Sequence, residues 1–167
     1  AMFLYVAAEF GASNWIVLYL QQHLQFGTLT ATSGLSILWL GLLVGRFANS
    51  RLALRWSSHL LVLWSGALGL VTGLGLLTAR APVPVYAWIF GLGLCMAGIY
   101  PNIMADLNGR NPERMGLITG FLAQSAAAGS AVAQPTLGVL AEKVSLPVAI
   151  SLIGVLMGLV AVVTYLE

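Results

Sequence analysis

Charge is nearly missing from this chain. Its 167 residues hold seven Lys and Arg and five Asp and Glu, 7% in all, against about 25% in an ordinary soluble domain. So few charges cannot coat a water-facing surface, and a soluble globular fold is excluded. Cysteine is scarcer still: Cys95 stands alone, which rules out an internal disulfide framework and any CxxC metal or redox motif. The two histidines, His23 and His59, lie far apart near the ends of apolar runs. They form no HExxH, so no metal is expected. Paired carboxylates are absent from the apolar runs, and Gly91, Gly93 and Gly98 lie inside one of them instead of opening a phosphate loop. No catalytic residue and no cofactor are expected, and the chain is read as a non-enzyme. An intramembrane hydrolase built on Ser125 or Ser130 is a distant alternative, since no histidine base lies at membrane depth. The net charge of +2 and pI near 9.0 do not argue for a nucleic-acid partner, because the arginines are spread between apolar runs.

What fills the chain is apolar: 59% hydrophobic residues and a mean hydropathy of +0.94. Six stretches are long enough for the ~20 residues that a helix needs to cross a bilayer. They are Met2–Leu20, Leu29–Phe47, His59–Thr78, Val85–Ala105, Met115–Ala141 and Val148–Leu166. None alternates every second residue, as a barrel strand would. The fold class expected is therefore an all-α membrane protein, with residues 1–167 forming one six-helix transmembrane domain. Gln21–Gly27, Asn49–Ser58, Asp106–Arg114 and Glu142–Pro147 read as connections, and Pro82 and Pro84 as breakers after the third span. Met2–Leu20 is too long for a signal-peptide core and carries Glu9. The chain begins inside an apolar run, so a longer parent protein is expected.

Loop arginines orient the bundle. Arg46, Arg51, Arg55, Arg110 and Arg114 fall at one end, while Arg80 and Lys143 fall at the other. The positive-inside rule puts the first group, and both chain termini, in the cytoplasm. Tyr86 and Trp88 then belong to the outer aromatic belt. A bacterial inner membrane is the expected location.

Polar residues at membrane depth are the functional candidates. Glu9 lies near the middle of the first span, where an ionisable group costs ~2.5–3.5 kcal/mol on insertion scales and normally faces a bundle interior or aqueous cavity. Tyr5 and Ser13, four residues to either side, share its helical face. No Lys or Arg is expected at its depth. Asn14 and Trp15 on the first span, Asn102 on the fourth, and Gln124 and Gln134 on the fifth complete a substrate or proton pathway. Gln124 and Gln134 lie roughly 80° apart around their helix and can border one cavity. Amides and an indole suit a neutral, hydroxyl-rich solute; each amide can equally serve as a bond between helices. Pro101 removes a backbone donor and frees the carbonyl near Ala97. The cavity is expected between the first, fourth and fifth spans.

Glycine pairs spaced four apart, Gly41/Gly45, Gly69/Gly73, Gly116/Gly120 and Gly154/Gly158, are expected to let helices approach closely. A small-residue run, Ala126–Ala131, adds a smooth side to the fifth span.

Several of these stretches resemble one family. Gly41–Arg55 (GLLVGRFANSRLALR), through Gly41, Gly45 and Arg46, resembles a degenerate cytoplasmic loop motif of the major facilitator superfamily, without its usual acidic residue. The first span, opening FLYVAAE and ending near Tyr19, resembles helix seven of fucose-permease-like sugar:proton symporters. Cys95–Leu107 with Tyr100–Pro101 is similar to the end of their helix ten. Gly120–Glu142, with Gly129, Pro135 and Gly138, is similar to helix eleven. The resemblance implies the carboxy-terminal half of a twelve-helix transporter, built as a three-plus-three inverted repeat. It implies alternating access, a sugar-like solute, a proton as second substrate, and a missing amino-terminal six-helix half as partner. Gly41, Gly45, Arg46, Pro101 and Pro135 take gating or structural roles on this reading. The family's coupling carboxylates lie mostly in the other half, so Glu9 serves either the solute or the proton. A multidrug or other solute exporter of the same superfamily is the alternative within transport.

Overall fold

Pro101 decides the shape of the fourth span. Lacking an N–H, it leaves the Ala97 carbonyl without its usual donor, and the helix lets go at Ala97 and Gly98. Regular bonding resumes when the Asn102 N–H donates to the Gly98 carbonyl at 3.1 Å. The computed structural model, which describes residues 1–166, is otherwise a set of uninterrupted helices. They are α1 (Met2–Gln22), α2 (Thr28–Leu52), α3 (Ser58–Gly75, prolonged by a 3₁₀ turn Leu76–Thr78), α4 (Pro82–Met96), α5 (Ile99–Arg110), α6 (Met115–Lys143, preceded by a 3₁₀ turn Pro112–Arg114) and α7 (Leu146–Leu166). With α4 and α5 forming one crossing, six helical segments are long and apolar enough to span a membrane. The chain is an all-α membrane protein.

Helix ends follow local chemistry. Pro82 and Pro84 do not break the chain; they open α4, where a first-turn N–H has no intrahelical partner to lose. Ser57 caps α3, its hydroxyl accepting from the Leu60 N–H at 3.4 Å. All four expected connections are helical at one end or both, two of them over a full turn. α2 continues through Asn49–Leu52, and α5 continues to Arg110, braced one turn back by Asp106 at 2.9 Å. Polar residues end an apolar span without ending its helix, because water at the interface accepts them. Pro135 sits inside α6 without dividing it.

The helices pair in a pattern that survives exchanging the first three spans for the last three. α1 packs on α6 as α4 packs on α2; α1 meets α7 as α4 and α5 meet α3; α1–α2 corresponds to α5–α6. The α3–α7 pair maps onto itself. One seam breaks the rule: α6 packs against α7, while α2 and α3 have no comparable contact. The buried core is centred on α1 (Tyr5, Ala8, Ala12, Ile16, Tyr19) and α4 (Val85, Ile89, Leu92, Met96).

Small residues set these seams, since in lipid the approach of backbones replaces hydrophobic burial as the driving force. A Cβ on Gly73 would fall 2.6 Å from the Gly154 Cα, and one on Gly45 would fall 2.6 Å from the Ala97 Cβ. Gly129 of α6 seats on the Phe3 carbonyl of α1. The pair Gly116/Gly120 departs from expectation: a Cβ at either would meet nothing within 4 Å. These two glycines lie on the broad uncovered face of α6, which also exposes Leu117, Phe121 and Val132.

Candidate functional site

Tyr5 and Glu9 lie four residues apart on α1 and point into a cavity of ≈ 900 Å³. α2 contributes Arg46, Asn49 and Ser50, and the start of α3 adds Ser58. Beyond the Pro101 break, α5 turns Tyr100, Asn102 and Ala105 toward the same space. The break is a local loosening of the bonding, since Ala97 and Gly98 both keep right-handed helical dihedrals.

The walls are held by buried polar bonds. Asn102, 3% exposed, donates through Nδ2 to Asn49 Oδ1 at 2.8 Å, tying α5 to α2. Gly98 makes room for this contact, since a Cβ there would lie 2.6 Å from Asn49 Cγ. The buried Tyr5 phenol lies beside the Glu9 carboxylate, with Arg46 and Tyr100 within electrostatic reach. Arg46 therefore corrects the expectation that Glu9 has no cation at its depth. Arg46 lies within the expected second span, on the helix that packs beside α1. Glu9 and Arg46 share the cavity without bonding to each other; among the described residues the one ion pair is Asp106–Arg110. The site offers a half-buried carboxylate, a guanidinium with five donors in a fixed fork, two phenols, hydroxyls and amides. It presents a polar solute with hydrogen-bond donors and acceptors. Its volume falls within the range of small-molecule pockets.

The other expected pathway residues lie elsewhere. Trp15 donates its indole N–H to Gln134 Oε1 at 3.1 Å, and Gln134 Nε2 donates to the Phe10 carbonyl at 3.2 Å. Both residues serve the α1–α6 seam. Asn14 is exposed and folds back on the Phe10 carbonyl at 2.8 Å. Ser13 is half-buried outside the cavity lining, and Gln124 is exposed on the open face of α6. Ser125 and Ser130 donate to carbonyls of their own helix at 2.9 Å each. The fifth span, α6, does not line the cavity; the second, α2, takes the place expected for it. α6 lies against another flank of α1, where α1, α5 and α6 border a separate cavity of ≈ 610 Å³ that Phe3, Ile103 and Leu117 line and Glu9 does not. Of the structural glycines, Gly41 and Gly45 pack α2 on α4, and Pro101 borders the cavity.

Asn49 and Tyr100 are the site residues that sequence reasoning left out. Asn49 falls in an expected connection; its spacing of three from Arg46 places it on the same face once α2 is extended. At the far end of the bundle, His23 accepts from Arg80 at 3.1 Å and stacks on Tyr19. His59 donates to the Thr164 carbonyl at 2.7 Å, and Tyr86 donates to the Thr30 carbonyl at 2.7 Å. Each histidine thus bonds at a helix end. Compared with protein-family models and with curated proteins, the chain matches none.

Proposed function

We propose that this chain is one six-helix half of a proton-coupled secondary transporter of the major facilitator superfamily, in its fucose-permease-like branch, and that it moves a small sugar-like solute by alternating access. The observation that carries this reading is the cavity in which Glu9, Tyr5, Arg46 and Asn102 converge beside a broken helix. Polar groups at membrane depth are expensive, and interrupted helices with polar groups recur at transporter sites. A carboxylate and a guanidinium that do not neutralise one another leave their hydrogen-bonding capacity for a solute and a proton. The paired helix map supports an inverted repeat, the plan on which such halves are built. The uncovered apolar faces, among them Phe10, Leu43, Phe47 and Phe121, are of the kind that a second bundle or lipid covers. In this reading both ends are cytoplasmic and the membrane is the bacterial inner one.

Alternating access needs a second bundle across the cavity. Co-expression with an amino-terminal six-helix half as a separate chain should therefore yield uptake that neither half shows alone. Robust uptake by this chain as an isolated monomer in liposomes would refute the assignment. A thermal-shift screen of sugars should identify the solute, because ligand at 100 times its Kd stabilises by about 2.7 kcal/mol.

A further inference from the structure

The seam that breaks the exchange pattern leaves a groove. Where α6 and α7 close on one another, α2 and α3 stand apart, and a cavity of ≈ 720 Å³ opens between them. Its floor is α4, through Gly91, Leu94 and Cys95; its walls include Ala48, Trp56 and Trp64. No charged side chain lines it. Thr72 closes one end, its hydroxyl spent on the Leu68 and Gly69 carbonyls of its own helix and its methyl 3.1 Å from where a Cβ on Gly91 would lie. The other end runs out at the α2–α3 connection. From Leu61 to Thr72 the groove follows α3 for about 16 Å, close to the depth of one leaflet of a ~30 Å hydrocarbon core. At the open end, residues 49 to 59 carry Arg51 and Arg55 and no carboxylate. Both arginines are exposed, and neither is ion-paired among the described residues.

We propose that this groove is a binding site for an anionic phospholipid, with one acyl chain along α4 and the phosphate held by Arg51 and Arg55. Three observations converge on that occupant: an apolar slot about one leaflet long, an end where Thr72 closes on Gly91, and exposed, unpaired guanidinium groups on the connection beyond the other end. Arginine grips phosphate bidentately, and basic side chains at a membrane surface attract anionic lipid. The site is separate from the Glu9 cavity; Asn49 alone borders both, with its side-chain oxygen already engaged by Asn102. A bound lipid there would brace α2 against α3 where protein packing does not.

Trp56 and Trp64 make the groove report on its own contents. A variant of the chain with Trp15, Trp39 and Trp88 changed to Phe keeps only these two indoles. It is reconstituted in phosphatidylcholine vesicles carrying graded amounts of bromine-labelled phosphatidylglycerol or bromine-labelled phosphatidylcholine. Bromine in the acyl chain quenches indole fluorescence on contact. Half-maximal quenching should come at about tenfold less labelled phosphatidylglycerol, with each arginine contributing several-fold. The preference should vanish in Arg51→Gln/Arg55→Gln and shrink in high salt, the latter measured without either substitution. Cys95→Phe, which fills the groove floor, should weaken quenching by both lipids. Equal quenching by the two lipids would overturn the proposal, and so would a preference that survives Cys95→Phe at full size. Quenching by neither lipid would also overturn it, and would give the groove to a second copy of the chain.

Discussion

Two glycines that look alike in the sequence should behave in opposite ways. Gly73 and Gly120 each close a pair spaced four apart within an apolar helix. A methyl group on Gly73 would land 2.6 Å from the Cα of Gly154 and 3.0 Å from its nitrogen. Carbon atoms prefer about 3.5–4.0 Å, and both of these neighbours are backbone, so neither can rotate away. α3 and α7 must part by about 1 Å along a seam that also includes Gly66, Gly69 and Ala161. Overpacking of this kind costs about 1–3 kcal/mol. A methyl on Gly120 meets nothing within 4 Å, and Ala is the better helix former by up to about 1 kcal/mol. Gly73→Ala should therefore unfold at lower detergent or temperature than the parent chain, and Gly120→Ala at the same point or higher. The propensity gain is common to both, so the difference between the two variants should be the overpacking cost of about 1–3 kcal/mol. Helicity followed by circular dichroism through SDS-driven unfolding in mixed micelles reads it directly. If Gly73→Ala proves no less stable than Gly120→Ala, the α3–α7 seam described above is wrong.

Further predictions address the bonds and the site. Trp15→Phe and Gln134→Leu, singly and together, should show a coupling energy of about 0.6 kcal/mol, and up to about 1.7, in a double-mutant cycle; additive effects would deny the bond between them. Asn49→Ala leaves the buried Asn102 amide without its acceptor and should destabilise by about 1–3 kcal/mol, while Asn14→Ala, on an exposed residue bonded within its own helix, should change stability by less than about 0.5 kcal/mol. Arg46→Ala takes a guanidinium out of the cavity and should weaken solute binding as well as slow uptake, read as a smaller solute-induced thermal shift. External thiol labelling should reach cysteines placed at positions 23 and 81 and miss those at 51 and 111; labelling at 51 would invert the topology.

The number of crossings and the break in the fourth span were legible because they rest on local chemistry: length, hydropathy, and the missing N–H of Pro101. Which face of each helix points inward was not. In water a buried face betrays itself by its apolar stripe, but in lipid both faces are apolar, and Leu43, Phe47 and Phe121 look no different in type from Leu38, Leu42 and Leu122. The same ambiguity covers the polar residues. Gln124 and Gln134 are one residue type on one helix, yet the first is exposed and the second bridges to α1. The Glu9–Tyr5 half of the cavity followed from a spacing of four on one helix. The Arg46–Asn49 half did not: Arg46 depends on how α2 crosses α1, and Asn49 on α2 running past the expected span end at Phe47. The α2–α3 gap is a tertiary feature and leaves no mark in either segment alone.

Proton coupling in this transporter reading rests on Glu9. The measurement is solute accumulation driven by an imposed pH gradient in proteoliposomes that hold both six-helix halves, comparing the parent protein with Glu9→Gln. Glutamine keeps the size and hydrogen bonding of the carboxyl but cannot titrate. Glu9→Gln should still exchange labelled solute down its gradient and no longer accumulate it against one. Accumulation by Glu9→Gln at the parent rate, with the same pH dependence, would contradict proton coupling at Glu9.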